Sequence, residues 1–506
     1  MAPYPRASVW TAFSWPFRRP PKRLRNCLFP FDFAYLVTAA TVPQRAVGAS
    51  PAASGPKSPA AHGSTLLIAT IAVLSAAFAV VIPPFQVCDE HAHFVRAYLI
   101  SRGVWIGSPS PNLPPDVAAV VMRYPEVLEQ MYPVRAADIA RDARSGTPAG
   151  GPALLAGGKG HYWLSHGIVA SNVYCPVAYL PASAGIAIGR LLRLPPLALL
   201  YAGRLAGVLF FTLACALAFR LAPEYSRLLA AVALLPMTLH QAAGVSADVM
   251  TIGLSFVAVA CLLWLRQNLA GRRPLILIAV LFAFWAACKI SPWTFAAVLL
   301  IPPVSFRARK HWLAYMGAVA LAMLLAVGIW QSLSRGNLEA YRLQRLAGGF
   351  DLAANSRYLL SHPFAFAGSA AAYSLRHGAR YLVQFVGAFG WSRFWMPLWV
   401  QPLALLALLV VALAEPASRQ FSARERTLLA GVFLIGVAFV HVALFLSDGF
   451  DGIQGRYFIP FSLFGLLAIR QNRFVLSTKS LAIIVAAIGA AHGIASLAWI
   501  WTRYYA

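Results

Sequence analysis

The chain reads as an all-α protein that crosses a membrane about eleven times. Three observations predict this. It is 59% hydrophobic and 11% charged, whereas roughly a quarter of a soluble domain is charged. Its mean hydropathy is +0.66. Apolar runs recur from residue 65 to residue 501, separated by polar connections. The 42 Lys and Arg against 16 Asp and Glu give a net charge of +26. That excess fits positively charged cytoplasmic loops in contact with anionic membrane lipids. Nucleic acid is not an expected partner, because the basic residues stand singly at segment ends rather than on one soluble face. The six cysteines show no C-x-x-C spacing, hence no zinc or dithiol motif.

Taken in order, residues 1–64 are Pro-rich and basic, a composition that predicts a disordered cytoplasmic tail. The apolar run 65–82 is longer than the usual signal-peptide core of about 7–15 residues, so an uncleaved signal-anchor is expected, with Asp89 delivered outside. A polar stretch then runs to about residue 172 and holds seven of the 16 acids: Asp89, Glu90, Asp116, Glu126, Glu129, Asp138 and Asp142. Its prolines predict an outer loop of short helices.

Beyond it, connections bearing Arg220/Arg227, Arg266/Arg272/Arg273, Arg307/Arg309/Lys310, Arg419/Arg424/Arg426 and Arg470/Arg473/Lys479 alternate with basic-poor ones. Positive-inside places the first set in the cytoplasm. Segment 173–189, interrupted by Pro176 and Pro181, is then expected to be re-entrant or interfacial on the outer side. Residues 334–396 form a second, arginine-rich outer loop, in which 381–396 is expected to be an aromatic interfacial helix. The organisation expected is a tail (1–64), a membrane domain (65–475) with outer loops at 83–196 and 334–396, and a last span within 476–506 that leaves the C-terminus outside.

The candidate site starts where the first apolar run ends, at Pro83-Pro84-Phe85-Gln86-Val87-Cys88-Asp89-Glu90-His91-Ala92-His93. Two carboxylates and two imidazoles at the edge of a span mark a functional site; helix capping by Asp89 and Glu90 is the plainer alternative. The same topology puts Arg204, Asp248, Lys289 and Arg456 at outer span ends. Cations at that depth need an anion, either a protein partner such as Asp248 for Lys289 or a ligand, unless they snorkel to the interface. A carboxylate pair facing several cations suits a phosphoryl-linked substrate: Arg and Lys hold phosphate while a carboxylate takes a proton from an attacking hydroxyl. His91 and His93 would share a face only on a strand. On the helix that Phe94, Ala97, Tyr98 and Ile100 suggest, Asp89 meets His93 instead, so a metal is not the expected cofactor, with a divalent ion as the alternative. Cys88 and Cys175, both predicted outside, are either a disulfide or two free thiols.

Asp89-Glu90 with His93-Phe94, Arg96-Ala97-Tyr98 and Gly103 resembles the opening of a bacterial membrane family catalogued as domain of unknown function 2142. Further matches, in order, are Tyr174-Cys175-Pro176 with Tyr179-Leu180-Pro181, Gly203-Arg204-Leu205, Leu235-Pro236 with Gln241 and Ser246-Ala247-Asp248, Lys289 with Pro292, Gly387 with Gly390-Trp391, and Gln454-Gly455-Arg456-Tyr457 with Pro460. The likeness covers about residues 65 to 475; Cys88 and His91 depart from it, where a small residue or proline is expected. That family is similar to the GT-C glycosyltransferases, which use lipid-phosphate sugars. The resemblance implies a GT-C-like fold in the bacterial cytoplasmic membrane. It implies Asp89 as general base, Glu90 orienting it or the acceptor, and Arg204, Lys289 and Arg456 holding a polyprenyl phosphate. His93, Arg96, Asp248, Gln454 and Tyr457 complete the expected substrate-binding set.

The function expected is an inverting transfer of sugar from a polyprenyl-phosphate donor to an acceptor at the outer membrane face, without a metal because Arg and Lys suffice for a monophosphate. The alternatives are a transporter or flippase, which would carry ionisable residues near the midplane and repeated halves, and a polysaccharide polymerase or ligase.

Overall fold

The computed structural model describes residues 59–121 and 167–506, apart from 393, 399, 417 and 472–475, together with positions 137, 139, 140 and 144. Residues 1–58 of the expected basic tail, and Glu126, Glu129, Asp138 and Asp142 of the first loop, lie outside the described residues, whereas residues 59–64, expected in the tail, already belong to the first helix.

The fold is an all-α membrane bundle. Among the described residues, six helices are long and apolar enough to cross a membrane. They are α1 (Pro59–Val81), α4 (Pro196–Leu221), α7 (Ala247–Leu265), α10 (Arg309–Leu333), α15 (Ala423–Ser447) and α17 (Thr478–Tyr504). Between them stand shorter pieces. α2 (Glu90–Ser101) and α3 (Leu180–Leu191) flank the first polar region, and α5 (Ser226–Ala233) and α6 (Pro236–Ala242) are one apolar run broken at Pro236, which lacks the amide that would continue the helix. α8 (Arg272–Cys288), α9 (Pro292–Ala296), α14 (Val400–Ala414) and α16 (Ile459–Ile469) complete the apolar set. Three further helices, α11 (Arg335–Ala347), α12 (Leu352–Ser361) and α13 (Pro363–Gly387), form the arginine-rich region.

The bundle is organised around α7, of which 89% of the most apolar window is buried, against 11% for α10. A helix apolar all round belongs in the middle, and α7 is one. By contrast Leu321, Leu324, Leu325 and Ile329 of α10 stay exposed, a face suited to lipid. Segment 173–189 is a 3₁₀ turn (Pro176–Tyr179) followed by the twelve-residue α3, broken where the two prolines stand. At about 1.5 Å per residue α3 is roughly 18 Å long, about the length of the eleven-residue α16, so loop charge rather than length distinguishes it from a crossing.

The aromatic stretch 381–396 departs from expectation. The helix stops at Gly387, and an antiparallel hairpin follows, β1 (Ala388–Phe389) with β2 (Phe394–Trp395), paired Ala388 to Trp395 and Phe389 to Phe394. Gly390 (φ 55°) makes the turn possible; a side chain there would also strike the Tyr504 hydroxyl. Only glycine meets both demands.

One buried polar knot lies at the opposite helix ends. Glu415, just past α14, accepts the backbone N–H of Arg227 at 3.0 Å and of Leu228 at 3.4 Å, and pairs with the Arg227 guanidinium at 3.0 Å. Arg470 donates to the Glu415 carbonyl. Burial pushes the Glu415 carboxyl up to about 7.

Candidate functional site

Pro83 and Pro84 end α1, and the chain turns back on itself through Gln86 N–H to Pro83 O (3.2 Å) and Glu90 N–H to Val87 O (3.1 Å). Asp89 occupies the N-cap of α2 in the left-handed region (φ 60°, ψ 9°), yet its side chain makes no cap hydrogen bond. Helix capping, the plain explanation of this acid, therefore fails. The carboxylate is half exposed and faces Arg456 at 3.7 Å.

Glu90 behaves differently. It is fully buried, and Arg204 grips it with Nε to Oε1 at 2.8 Å and Nη2 to Oε2 at 2.5 Å, while the Val245 N–H adds 2.9 Å to Oε1. The remaining Arg204 donors reach the carbonyls of Ala79 (3.0 Å), Ile82 (2.6 Å) and Pro83 (2.9 Å). Every guanidinium N–H is thus used within the protein. The pair is a rivet between α1, α2 and α4: all Arg204 donors are spent on protein groups rather than left for the lipid phosphate expected of it, and Glu90, expected to orient Asp89 or the acceptor, fixes the residue next to Asp89. Arg96, also expected to bind substrate, lies apart from the charge row. It is buried, donates to Trp105 O at 2.6 Å and Val104 O at 3.4 Å, and stands over the Trp330 ring. It ties the segment after Gly103 to α2 through these two carbonyls.

The other expected residues do converge. Asp248 lies in the first turn of α7, and Lys289 caps the C-terminus of α8; the two are ion-paired, the internal pairing that the sequence left as one alternative. Arg456 approaches Asp248 at 3.9 Å and donates to Gln241 Oε1 at 3.4 Å. Gly455 allows this: it packs so closely on α13 that a side chain would overlap the Tyr381 carbonyl, and its N–H bonds Gln384 Oε1 at 3.0 Å. Asp89, Arg456, Asp248 and Lys289 thus form one chain of alternating charge drawn from four separate segments. Desolvation of the Arg456 guanidinium is outweighed by the negative charge around it, which raises it well above its ordinary value.

Tyrosines line this row. Lys289 Nζ stands 5.6 Å from the Tyr174 ring and 5.8 Å from Tyr457, and the Arg456 guanidinium 5.2 Å from Tyr457. His93 Nδ1 bonds the Tyr179 hydroxyl at 2.7 Å. Desolvation lowers His93 to about 4, outweighing the carboxylates of Asp89 and Asp248. Between pH 6.5 and 4 the unfolded chain then binds more protons at this residue than the folded one, so His93 withdraws stability as pH falls through that window. The imidazole should remain neutral from pH 7.5 to 5, read by the ring nitrogen shifts in an ¹⁵N-histidine spectrum; titration near 6.5 would contradict this burial.

Cys88 and Cys175 are both free, which corrects the disulfide alternative. Cys88 faces Ser392 Oγ at 4.0 Å, whereas Cys175 packs with Ala287 and Trp330. Burial raises both thiols. Gln454 accepts from Ser392 Oγ at 3.2 Å, so its contact is with the hairpin. Among the described residues no three of His, Cys, Asp and Glu gather as metal ligands. Sequence reasoning passed over Tyr174, Tyr179, Gln241, Trp391 and Ser392 as site residues, although all but Ser392 stood within the family motifs.

A bundle of apolar helices, carrying a row of alternating charges where several of them end, defines a polytopic membrane protein with a polar site at one end. The chain belongs to the family described as predicted membrane protein (DUF2142), which it matches over residues 73–464. No curated protein and no solved structure matches it.

Proposed function

We propose that the chain is an inverting glycosyltransferase that moves a sugar from a polyprenyl-phosphate donor to an acceptor hydroxyl at the outer face of the bacterial cytoplasmic membrane. One observation carries the reading: a half-exposed carboxylate, Asp89, lies in the same charge row as Arg456 and Lys289, so one substrate can touch acid and cations together. The acceptor oxygen attacks the anomeric carbon and its proton passes to Asp89. The bond from that carbon to the phosphate oxygen breaks, and the oxygen leaves with both electrons toward Arg456 and Lys289. Asp248 holds the two cations beside each other, and the Tyr174 and Tyr457 rings flank Lys289. Such prearranged charge is the means by which a group transfer of this kind is accelerated.

The six long helices, with five shorter or broken ones (α5–α6, α8, α9 with its following 3₁₀ turn, α14 and α16), support eleven crossings of a GT-C-like bundle. Loop charge then sets the N-terminus and the Glu415 knot in the cytoplasm and the charge row outside. α3 is an outer re-entrant element in this topology, and 334–396 an outer loop.

The test compares lipid-linked and envelope glycans of a strain lacking the gene, complemented with the wild-type chain or with Asp89→Asn. The reading expects one polyprenyl-phosphate sugar to accumulate, and one glycan to lose a residue, in both the deletion and the Asp89→Asn strain. Identical profiles in all strains would overturn it.

A further inference from the structure

Among the described residues, five non-glycine residues have φ in the left-handed region, and four of them sit in two turns that touch: Phe85 (61°) and Asp89 (60°) in the acidic turn, Trp391 (60°) and Ser392 (61°) at the hairpin tip. Bulky residues hold such angles only where surrounding contacts over-determine them. The contacts are specific. Trp391 Nε1 donates to the carbonyl of Phe85 at 3.2 Å, and its ring stacks on His91 at 5.4 Å and 18°. Ser392 Oγ lies 4.0 Å from Cys88 Sγ and donates to Gln454 Oε1 at 3.2 Å. Cys88 immediately precedes Asp89, and Gln454 lies two positions before Arg456. One hydroxyl therefore touches both segments that carry the Asp89–Arg456 pair.

The Asp89 side chain receives no help from its own helix, since it makes no cap bond. Its direction depends on the backbone of the turn, and the turn is held from across the site.

We infer that the hairpin tip is a brace for the acidic turn, in which Trp391 and Ser392 are positioning residues that set the spacing and direction of the Asp89 carboxylate relative to Arg456. Trp391 holds the start of the turn and the first turn of α2, and Ser392 fixes the gap between the turn and the Gln454–Arg456 segment. His91, a departure from the family pattern, supplies the ring on which Trp391 lies. The chemical importance of that spacing rests on the transferase reading; the brace itself does not.

The experiment uses the full chain in native membranes with Cys88 as its single thiol, the other five cysteines replaced by alanine. The rate of Cys88 alkylation by a small maleimide reports opening of the acidic turn. Ser392→Ala, and Trp391→Phe, which keeps a ring on His91 but loses the donor to Phe85, should each raise the rate about tenfold or more as local opening becomes easier. Ser392→Thr, which keeps the hydroxyl, should return it to the parent rate. A matched chain with Cys175 as its single thiol should show no acceleration from either substitution. Unchanged Cys88 rates in both variants would overturn the brace, as would equal acceleration at Cys175, which would mean general loosening. Because the readout is a thiol, failure here leaves the transferase test untouched, and failure there leaves this one standing.

Discussion

Replacing Arg204 with methionine is expected to destabilise the protein by about 3–5 kcal/mol, the range for removing one member of a buried ion pair. The substitution strands the Glu90 carboxylate at zero exposure with the Val245 N–H as its remaining partner, and it takes donors away from the carbonyls of Ala79, Ile82 and Pro83. Thermal unfolding in detergent, followed by the fraction that still elutes as a monodisperse peak, would measure it. Arg204→Met combined with Glu90→Leu should recover the part due to the unpaired charge and leave the part due to the carbonyls. An unfolding midpoint for Arg204→Met equal to wild type would show that the rivet does not hold these helices.

Asp89→Asn is expected to give the reverse pattern. Its carboxylate is half exposed and 3.7 Å from Arg456, a pair of the kind that contributes about 0–1 kcal/mol, so the unfolding midpoint should barely move. Transfer should fall by about 10²–10⁴-fold, the usual contribution of a positioned general base. The asparagine keeps size and polarity and cannot accept the acceptor's proton, so the loss isolates that single step. Full transfer by Asp89→Asn would remove this residue from the reaction. Comparing the two variants separates neighbouring acids that look alike in the sequence: one should fail in stability, the other in chemistry.

The adjacency of Asp89 and Glu90 shows what sequence does and does not carry. Composition, the recurrence of apolar runs and the charge at their ends were enough for an all-α membrane protein and for the convergence of Asp89, Asp248, Lys289 and Arg456, because those signals arise from the membrane itself. Which of two consecutive acids faces water was not legible. It depends on a left-handed backbone at Asp89 and on an arginine 114 positions past Glu90, neither of which leaves a local pattern. That Arg204 spends its donors on Glu90 and backbone carbonyls was not legible, because a cation near a span end has the same sequence signature whether it serves carbonyls or phosphate. The hairpin at 388–395 was read as helix because its aromatic residues suit either state, and the collision that forces Gly390 involves Tyr504, far along the chain.

The Arg204 rivet also bears on biogenesis. The carbonyls of Ala79 and Ile82 and the Glu90 carboxylate take their guanidinium partner from α4, so a ribosome that has released residue 90 has made a motif it cannot yet close. In a chain stalled before residue 204, Glu90 lacks its guanidinium partner and the end of the first helix keeps its loose carbonyls, which water at the lipid surface must serve. Maturation of the acidic turn therefore waits for the second long helix to insert, and intermediates truncated on either side of residue 204 should differ abruptly in their resistance to protease.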